Sequence, residues 1–86
     1  MPRISAFYGI VISMYFDDHD PPHFHATYGE HRARILIESL ESMDSGFPVR
    51  ALRLVREWAA LHLSELTLNW DRARARKPLD TIDPLP

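Results

Sequence analysis

The residues from 49 to 77 contain neither glycine nor proline, and this run constrains the fold more than any other feature of the sequence. Within it, apolar side chains and one histidine recur at spacings of three and four, which is the period of an amphipathic helix. This stripe keeps one phase throughout and predicts a helical region over residues 48–76, with Pro48 in its first turn. Its members are Leu52, Val55, Ala59, His62, Leu66, Trp70 and Ala73.

The length of this region argues against one straight helix. A straight helix over residues 48–76 would be about 43 Å long. A compact chain of 86 residues has a radius of gyration of about 12 Å, and therefore a diameter of about 30 Å. We therefore expect one long helix with a kink or a short break at residues 62–64, where Ser64 can cap a second helical segment.

Three segments with the period-two alternation of half-buried strands precede the helical region. The first runs from Gly9 to Asp17, the second from His23 to Tyr28 and the third from Arg32 to Glu38. The double proline of residues 21–22 must end the first strand, because proline cannot donate a hydrogen bond to a sheet. Short links between these strands predict a three-stranded antiparallel meander.

These elements together predict a single α+β domain, as the length of the chain also suggests. The meander of residues 9–38 packs its apolar side against the helical region. The residues 77–86 contain three prolines and form an extended tail rather than a helix. We expect Leu79, Ile82 and Leu85 to anchor this tail, either on the protein's own sheet or on a partner.

Composition excludes several classes of protein. The chain has no cysteine, which excludes a disulfide framework and a thiolate zinc site. A net charge of −2 and a pI near 6.2 argue against a dedicated binder of duplex DNA. The first residues combine a lone Arg3 with a short apolar run that Ser13 interrupts, which fits neither a signal peptide nor a membrane span. We therefore expect a soluble cytoplasmic protein.

The strand positions opposite the apolar ones bring reactive side chains to one face of the predicted sheet. His23 and His25 point the same way, about 6–7 Å apart, and Tyr15, Arg32 and Arg34 share their face. Two histidines can act as base and acid near neutral pH, while arginine stabilises a phosphorane-like charge and tyrosine orients or stacks a base. This set predicts cleavage of an RNA backbone without any metal or cofactor.

A divalent metal site is the alternative use of the same residues. His23 and His25 form a His-x-His pair that can supply two imidazole ligands, and Asp17 can supply a third. Other neighbours offer the same chemistry: Asp18, His19, Glu30 and His31. A third interpretation is that the histidines face solvent and only support a turn by hydrogen bonding. The residues leave open whether the protein is an enzyme.

A second leucine stripe flanks the helical one. Leu54, Leu61 and Leu68 repeat every seven residues, away from the main stripe. They either widen the core face of the helix or form a contact with a second copy of the chain, as small domains often use.

Several short motifs, taken in order, resemble a known family. These are the aromatic-Tyr-Gly of residues 7–9, the aspartate and histidine before the double proline, the PPHFH of residues 21–25, and a helix ending near Asn69-Trp70. Together they resemble the small bacterial proteins of the domain-of-unknown-function family 4160. The resemblance covers nearly the whole chain.

The resemblance implies a partner rather than a reaction. The family has no settled activity, so no catalytic residue is carried over, although its most distinctive residues match Pro21, Pro22, His23 and His25. Its members are often encoded beside another small protein, an arrangement similar to a toxin–antitoxin pair. We therefore expect a component of such a two-protein module that acts on RNA. The alternative is a non-catalytic module that binds a metal or a protein through PPHFH.

Overall fold

The structure, a computed structural model, describes residues 2–86 and contains four antiparallel strands followed by two helices and an extended tail. The predicted α+β class is confirmed. The strands lie in the sheet in chain order, β1-β2-β3-β4. The elements are β1 Arg3–Phe7, β2 Ile10–Ser13, β3 His23–Tyr28, β4 His31–Leu36, α1 Val49–Leu61 and α2 Leu63–Arg74.

The prediction of three strands, the first beginning at Gly9, was wrong: strand β1 precedes that position and makes a fourth. Tyr8 and Gly9 connect β1 to β2, and both have positive φ, 50° and 80°. Two positive φ angles are typical of the type I′ turn, whose twist matches that of a hairpin. The Tyr-Gly pair was therefore the signal for a hairpin. β2 also ends at Ser13 rather than at Asp17.

The inner face of the sheet is apolar on every strand. Its side chains alternate with those of the outer face along β2, β3 and β4, as predicted. In β1 a bulge between Arg3 and Ser5 interrupts the alternation, and Ile4 and Ser5 are both buried. Phe16 and Tyr28 lie at the margin of this face and are 37% and 38% exposed. The fully or nearly fully buried members are Ile4, Ile10, Ile12, Phe24, Ala26, Ala33 and Ile35.

The predicted helical region is present, but it forms two helices rather than one. His62 has non-helical angles, φ −129° and ψ 30°, and its N–H donates to the carbonyl of Ala59 at 3.0 Å, a tightened last turn. The longest dimension of the domain is 33 Å, too short for a straight helix of about 43 Å. Ser64 does not cap α2; His62 precedes it, with Nδ1 2.6 Å from Oε1 of Glu65.

The two helices cover the inner face through the predicted main stripe. Val55, Ala59 and Leu66 are fully buried. The second stripe is divided: Leu54 packs against the core, whereas Leu61 and Leu68 are 68% and 53% exposed. A homodimer through this stripe stays a prediction. Neither helix in residues 2–86 is long and apolar enough to cross a membrane.

The tail lies against its own domain, one of the two predicted alternatives. The Ile82 N–H donates to the carbonyl of Ile4 on β1 at 2.7 Å, and the Trp58 indole N–H of α1 donates to the carbonyl of Asp83 at 2.7 Å. Ile82 is buried. The tail therefore joins the outer edge of β1 to both helices, since Asn69 of α2 also binds it.

Asn69 provides a test of this attachment. Its amide is fully buried and makes two hydrogen bonds with the backbone of Asp80, at 2.9 and 3.0 Å. We expect Asn69→Ala to lower the free energy of unfolding by about 2 kcal/mol, because two part-buried hydrogen bonds worth about 1 kcal/mol each are lost. Urea denaturation measures this change. The control Thr67→Ala, at an exposed position of α2, should change stability by no more than about 0.5 kcal/mol.

Candidate functional site

The segment between β2 and β3 is held against the end of helix α2. The helix ends in a Schellman motif: the N–H of Lys77 donates to the carbonyl of Arg72, and Arg76 has a positive φ of 56°. The Arg74 guanidinium donates to the Asp20 carboxylate at 2.7 Å, and that of Arg76 donates to Asp17. These two ion pairs join residues 17–20 to the end of α2.

His23 lies under this contact rather than in solvent. Its ring centroid is 5.4 Å from that of Trp70 on α2 and 5.1 Å from that of His25. The residue is only 6% exposed. We expected His23 and His25 to lie together on the outer face of the sheet. His23 is instead covered by the indole of Trp70, near the end of α2.

Asp18 brings the two histidines together. Its Oδ2 atom lies 2.9 Å from Nε2 of His25 and 3.4 Å from Nε2 of His23. One ligand atom from each of the three residues falls within 4.8 Å of the others, and this is the one such group of three among residues 2–86. The side chains of Asp18 and His25 keep 21% and 24% of their surface exposed. The cluster is therefore half-buried and open on one side.

The hydrogen bond on the far side of the His23 ring determines what its Nε2 atom can do. The carbonyl oxygen of Pro21 only accepts hydrogen bonds, so Nδ1, 2.8 Å away, carries the donated proton. In a neutral imidazole Nε2 is then an acceptor, and it faces the Asp18 carboxylate, another acceptor. Two acceptors 3.4 Å apart repel each other unless a proton or a cation lies between them.

The residues predicted to be catalytic are brought together only in part. Tyr15 packs its ring edge-on against His25, with centroids 4.5 Å apart. Arg34 is the cross-strand partner of His25, but its guanidinium is bound to Asp44, through Nη2 to Oδ1 at 2.8 Å and through Nε to Oδ2 at 3.1 Å. Arg32 is exposed and lies two residue pairs further along the β3–β4 ladder, opposite Thr27.

Of the predicted metal ligands, Asp17 lies outside the cluster because its carboxylate binds Arg76. Asp18, named only as a further candidate, takes its place. Glu30 lies in the β3–β4 turn and His31 begins β4, both at the opposite end of β3 from His23. No sequence pattern distinguishes Asp17 from Asp18, because both lie beyond the end of β2 and alternation no longer applies there.

A cavity in another part of the domain does not involve the cluster. Its volume is about 630 Å³, and it is lined by residues of the β1–β2 turn, β2, β3, α1 and the tail, among them Tyr8, Tyr28 and Leu54. None of the three cluster residues borders it. The cluster therefore lies at the surface, at the end of the sheet, and is not enclosed in a pocket.

Fold and site together define a small α+β domain with a half-buried His-His-Asp cluster at one end of its sheet. A family model described as a domain of unknown function, DUF4160, matches residues 9–71. The chain therefore belongs to the DUF4160 family. All three cluster residues lie within the matched range, whereas β1 and the tail lie outside it. No curated protein and no solved structure matches the chain.

The ion pair between Arg34 and Asp44 can be tested through the pKa of Asp44. The guanidinium and the backbone N–H of Arg34 both donate to the Asp44 carboxylate and lower its pKa from 3.8 to about 2. A carboxyl with a lowered pKa stabilises the folded state above its unfolded pKa, and this contribution is lost as the pH falls from about 4 towards 2. We expect Arg34→Gln to return the pKa of Asp44 towards 3.8, measured by NMR titration of its carboxyl carbon. An unchanged pKa would show that the pair does not form in solution.

Proposed function

We propose that the domain binds a divalent transition-metal ion through Asp18, His23 and His25. The observation that carries this proposal is the His23 ring, which donates from Nδ1 to the Pro21 carbonyl and directs Nε2 at the Asp18 carboxylate. Metal-binding histidines commonly donate their other N–H to a carbonyl, since this bond orients the ring and selects the metal-binding nitrogen. A cation between Nε2 and Oδ2 turns the repulsion of two acceptors into attraction.

The two distances from the Asp18 carboxylate oxygen to the histidine nitrogens are close to those of a tetrahedral site. Bonds of about 2.0–2.1 Å from zinc to nitrogen and oxygen place neighbouring ligand atoms about 3.3 Å apart. The 3.4 Å between Asp18 and His23 matches this value, and the 2.9 Å between Asp18 and His25 requires only a slight widening. Trp70 packs against the His23 ring and helps to hold it in place.

The ligand set favours some metals over others. Two imidazole nitrogens and one carboxylate oxygen suit Zn²⁺, Ni²⁺, Co²⁺ or Fe²⁺, whereas Mg²⁺ and Ca²⁺ prefer oxygen ligands alone. Three protein ligands are typical of sites that keep a further position for water or for an exogenous ligand. The partial exposure of Asp18 and His25 is consistent with access to that position.

The neighbouring aspartates provide a matched test. We expect Asp18→Asn to weaken Zn²⁺ binding at least about 100-fold. Loss of a residue that only hydrogen-bonds to a metal ligand already lowers metal affinity by about 10–100-fold, and Asp18 is a ligand itself. Asp17→Asn, which breaks only the ion pair with Arg76, should leave the affinity unchanged. Calorimetric titration of the untagged protein measures both.

A second matched pair covers the histidines. His25→Ala should abolish Zn²⁺ binding, whereas the exposed His31→Ala should bind as the wild type does. Circular dichroism checks that each variant is folded. Wild-type affinity in a folded Asp18→Asn or His25→Ala variant would contradict the proposal.

RNA cleavage within a toxin–antitoxin-like pair stays a prediction, and the partner protein encoded nearby stays one with it. Tyr15 lies beside His25, as this prediction requires, whereas the pairing of Arg34 with Asp44 leaves that guanidinium less able to bind phosphate. The prediction requires cleavage of single-stranded RNA by the purified protein in the presence of EDTA, and loss of cleavage in the His23→Ala, His25→Ala double variant. Equal residual cleavage by both proteins would remove the claim of an enzyme.

A further inference from the structure

The strand register aligns basic side chains with the cluster across the outer face of the sheet. Arg3, next to a bulge in β1, pairs with the buried Ser13, Ser13 with His25, and His25 with Arg34, so that one row crosses all four strands. Directly opposed residues of antiparallel strands project to the same face. Arg32, opposite Thr27, is the diagonal neighbour of His25 on this face. A diagonal neighbour is about 7–8 Å away, within reach of a long side chain.

Arg3 and Arg32 differ from most of the other arginines near the cluster in having no acidic partner. Arg34, Arg74 and Arg76 each bind an aspartate. Within residues 2–86, no carboxylate lies within 4.0 Å of the guanidinium of Arg3 or Arg32, and both residues are exposed. Their positive charges are therefore available to a ligand on the outer face.

The acidic residues around the cluster do not cancel this charge. Asp17, Asp20 and Asp44 are each neutralised by an arginine. Asp18 is the one aspartate of the cluster, and a bound divalent cation exceeds its charge by one unit. The loaded site and its two unpaired arginines therefore form a positive region, in a protein whose net charge is −2.

We propose that the metal-loaded site binds the tetrahedral oxyanion of a phosphate group, with one oxygen on the metal and others on Arg32 and Arg3. The proposal rests on the metal binding proposed above. Metals polarise phosphoryl oxygens, and arginine recognises them through paired N–H donors. His25 lies between the two arginines: Arg32 is its diagonal neighbour, and Arg3 is two strands away, about 10 Å. A planar carboxylate has two oxygens rather than three, so it offers the metal and the two arginines fewer acceptor positions than a phosphate group does.

The test compares two ligands that carry the same ring, phenylphosphonate and benzoate. We expect the Zn²⁺-loaded protein to bind phenylphosphonate up to about fivefold more tightly than benzoate, since an additional exposed charge contact is worth up to about 1 kcal/mol. The protein without metal should bind neither. Equal affinity for the two ligands, or equal affinity with and without metal, would overturn the proposal.

Arginine variants locate the binding. Arg32→Gln and Arg3→Gln should each weaken phenylphosphonate binding about fivefold and leave Zn²⁺ affinity within about twofold of the wild type. Arg53→Gln, at an exposed position of α1, is the matched control and should change neither. If Arg32→Gln and Arg3→Gln both bind phenylphosphonate as tightly as the Arg53→Gln control does, the roles of Arg3 and Arg32 are overturned.

The results also separate the two proposals and the source of the phosphate. Absence of Zn²⁺ binding overturns the metal site, and with it this inference. Zn²⁺ binding without phenylphosphonate binding overturns this inference alone. The methyl monoester of phenylphosphonate represents a phosphodiester: if it binds as tightly as phenylphosphonate, the ligand is a phosphodiester, and if it binds more weakly, a terminal phosphate. Both results support the proposal.

Discussion

The inner face of the sheet is apolar on all four strands, and the two helices and the tail are what cover it. This burial is the main favourable term for so short a chain, which has little other apolar surface to remove from water. Trp58 lies fully buried between the sheet and the tail, with its ring 5.5 Å from that of Phe7 and 5.8 Å from that of Phe24. The need to cover a sheet inside a 33 Å domain explains why the helical region breaks at His62.

The break determines where the end of α2 lies, and that end builds the site. Trp70 packs on His23, and Arg74 and Arg76 bind the aspartates on either side of Asp18 and His19. Asp18 is left facing the two histidines, because its neighbours in the loop are engaged elsewhere. The cluster therefore depends on a contact between residues more than fifty positions apart in the chain.

Much of the fold could be predicted because it follows from local periodicity. The alternation around Ile10, Ile12, Phe24 and Ala26 identified the inner face, and the spacing of Val55, Ala59 and Leu66 identified the helical stripe. β1 was missed although Tyr8-Gly9 marks a hairpin turn, because its short alternation was not counted as a strand. The length of the helical region predicted a break, but only the structure shows two separate helices.

The site was predictable as a region and not as a set of contacts. The sequence by itself determined that His23 and His25 lie two residues apart on one strand beyond a double proline, because alternation is a local property of the backbone. The tertiary structure decided that Asp18 rather than Asp17 faces them and that Trp70 covers His23. It also decided that Asp44 binds Arg34, while Arg3 and Arg32 have no acidic partner among residues 2–86. These choices depend on which distant side chains meet across the end of α2 and the edge of β4, and no spacing within one segment contains that information.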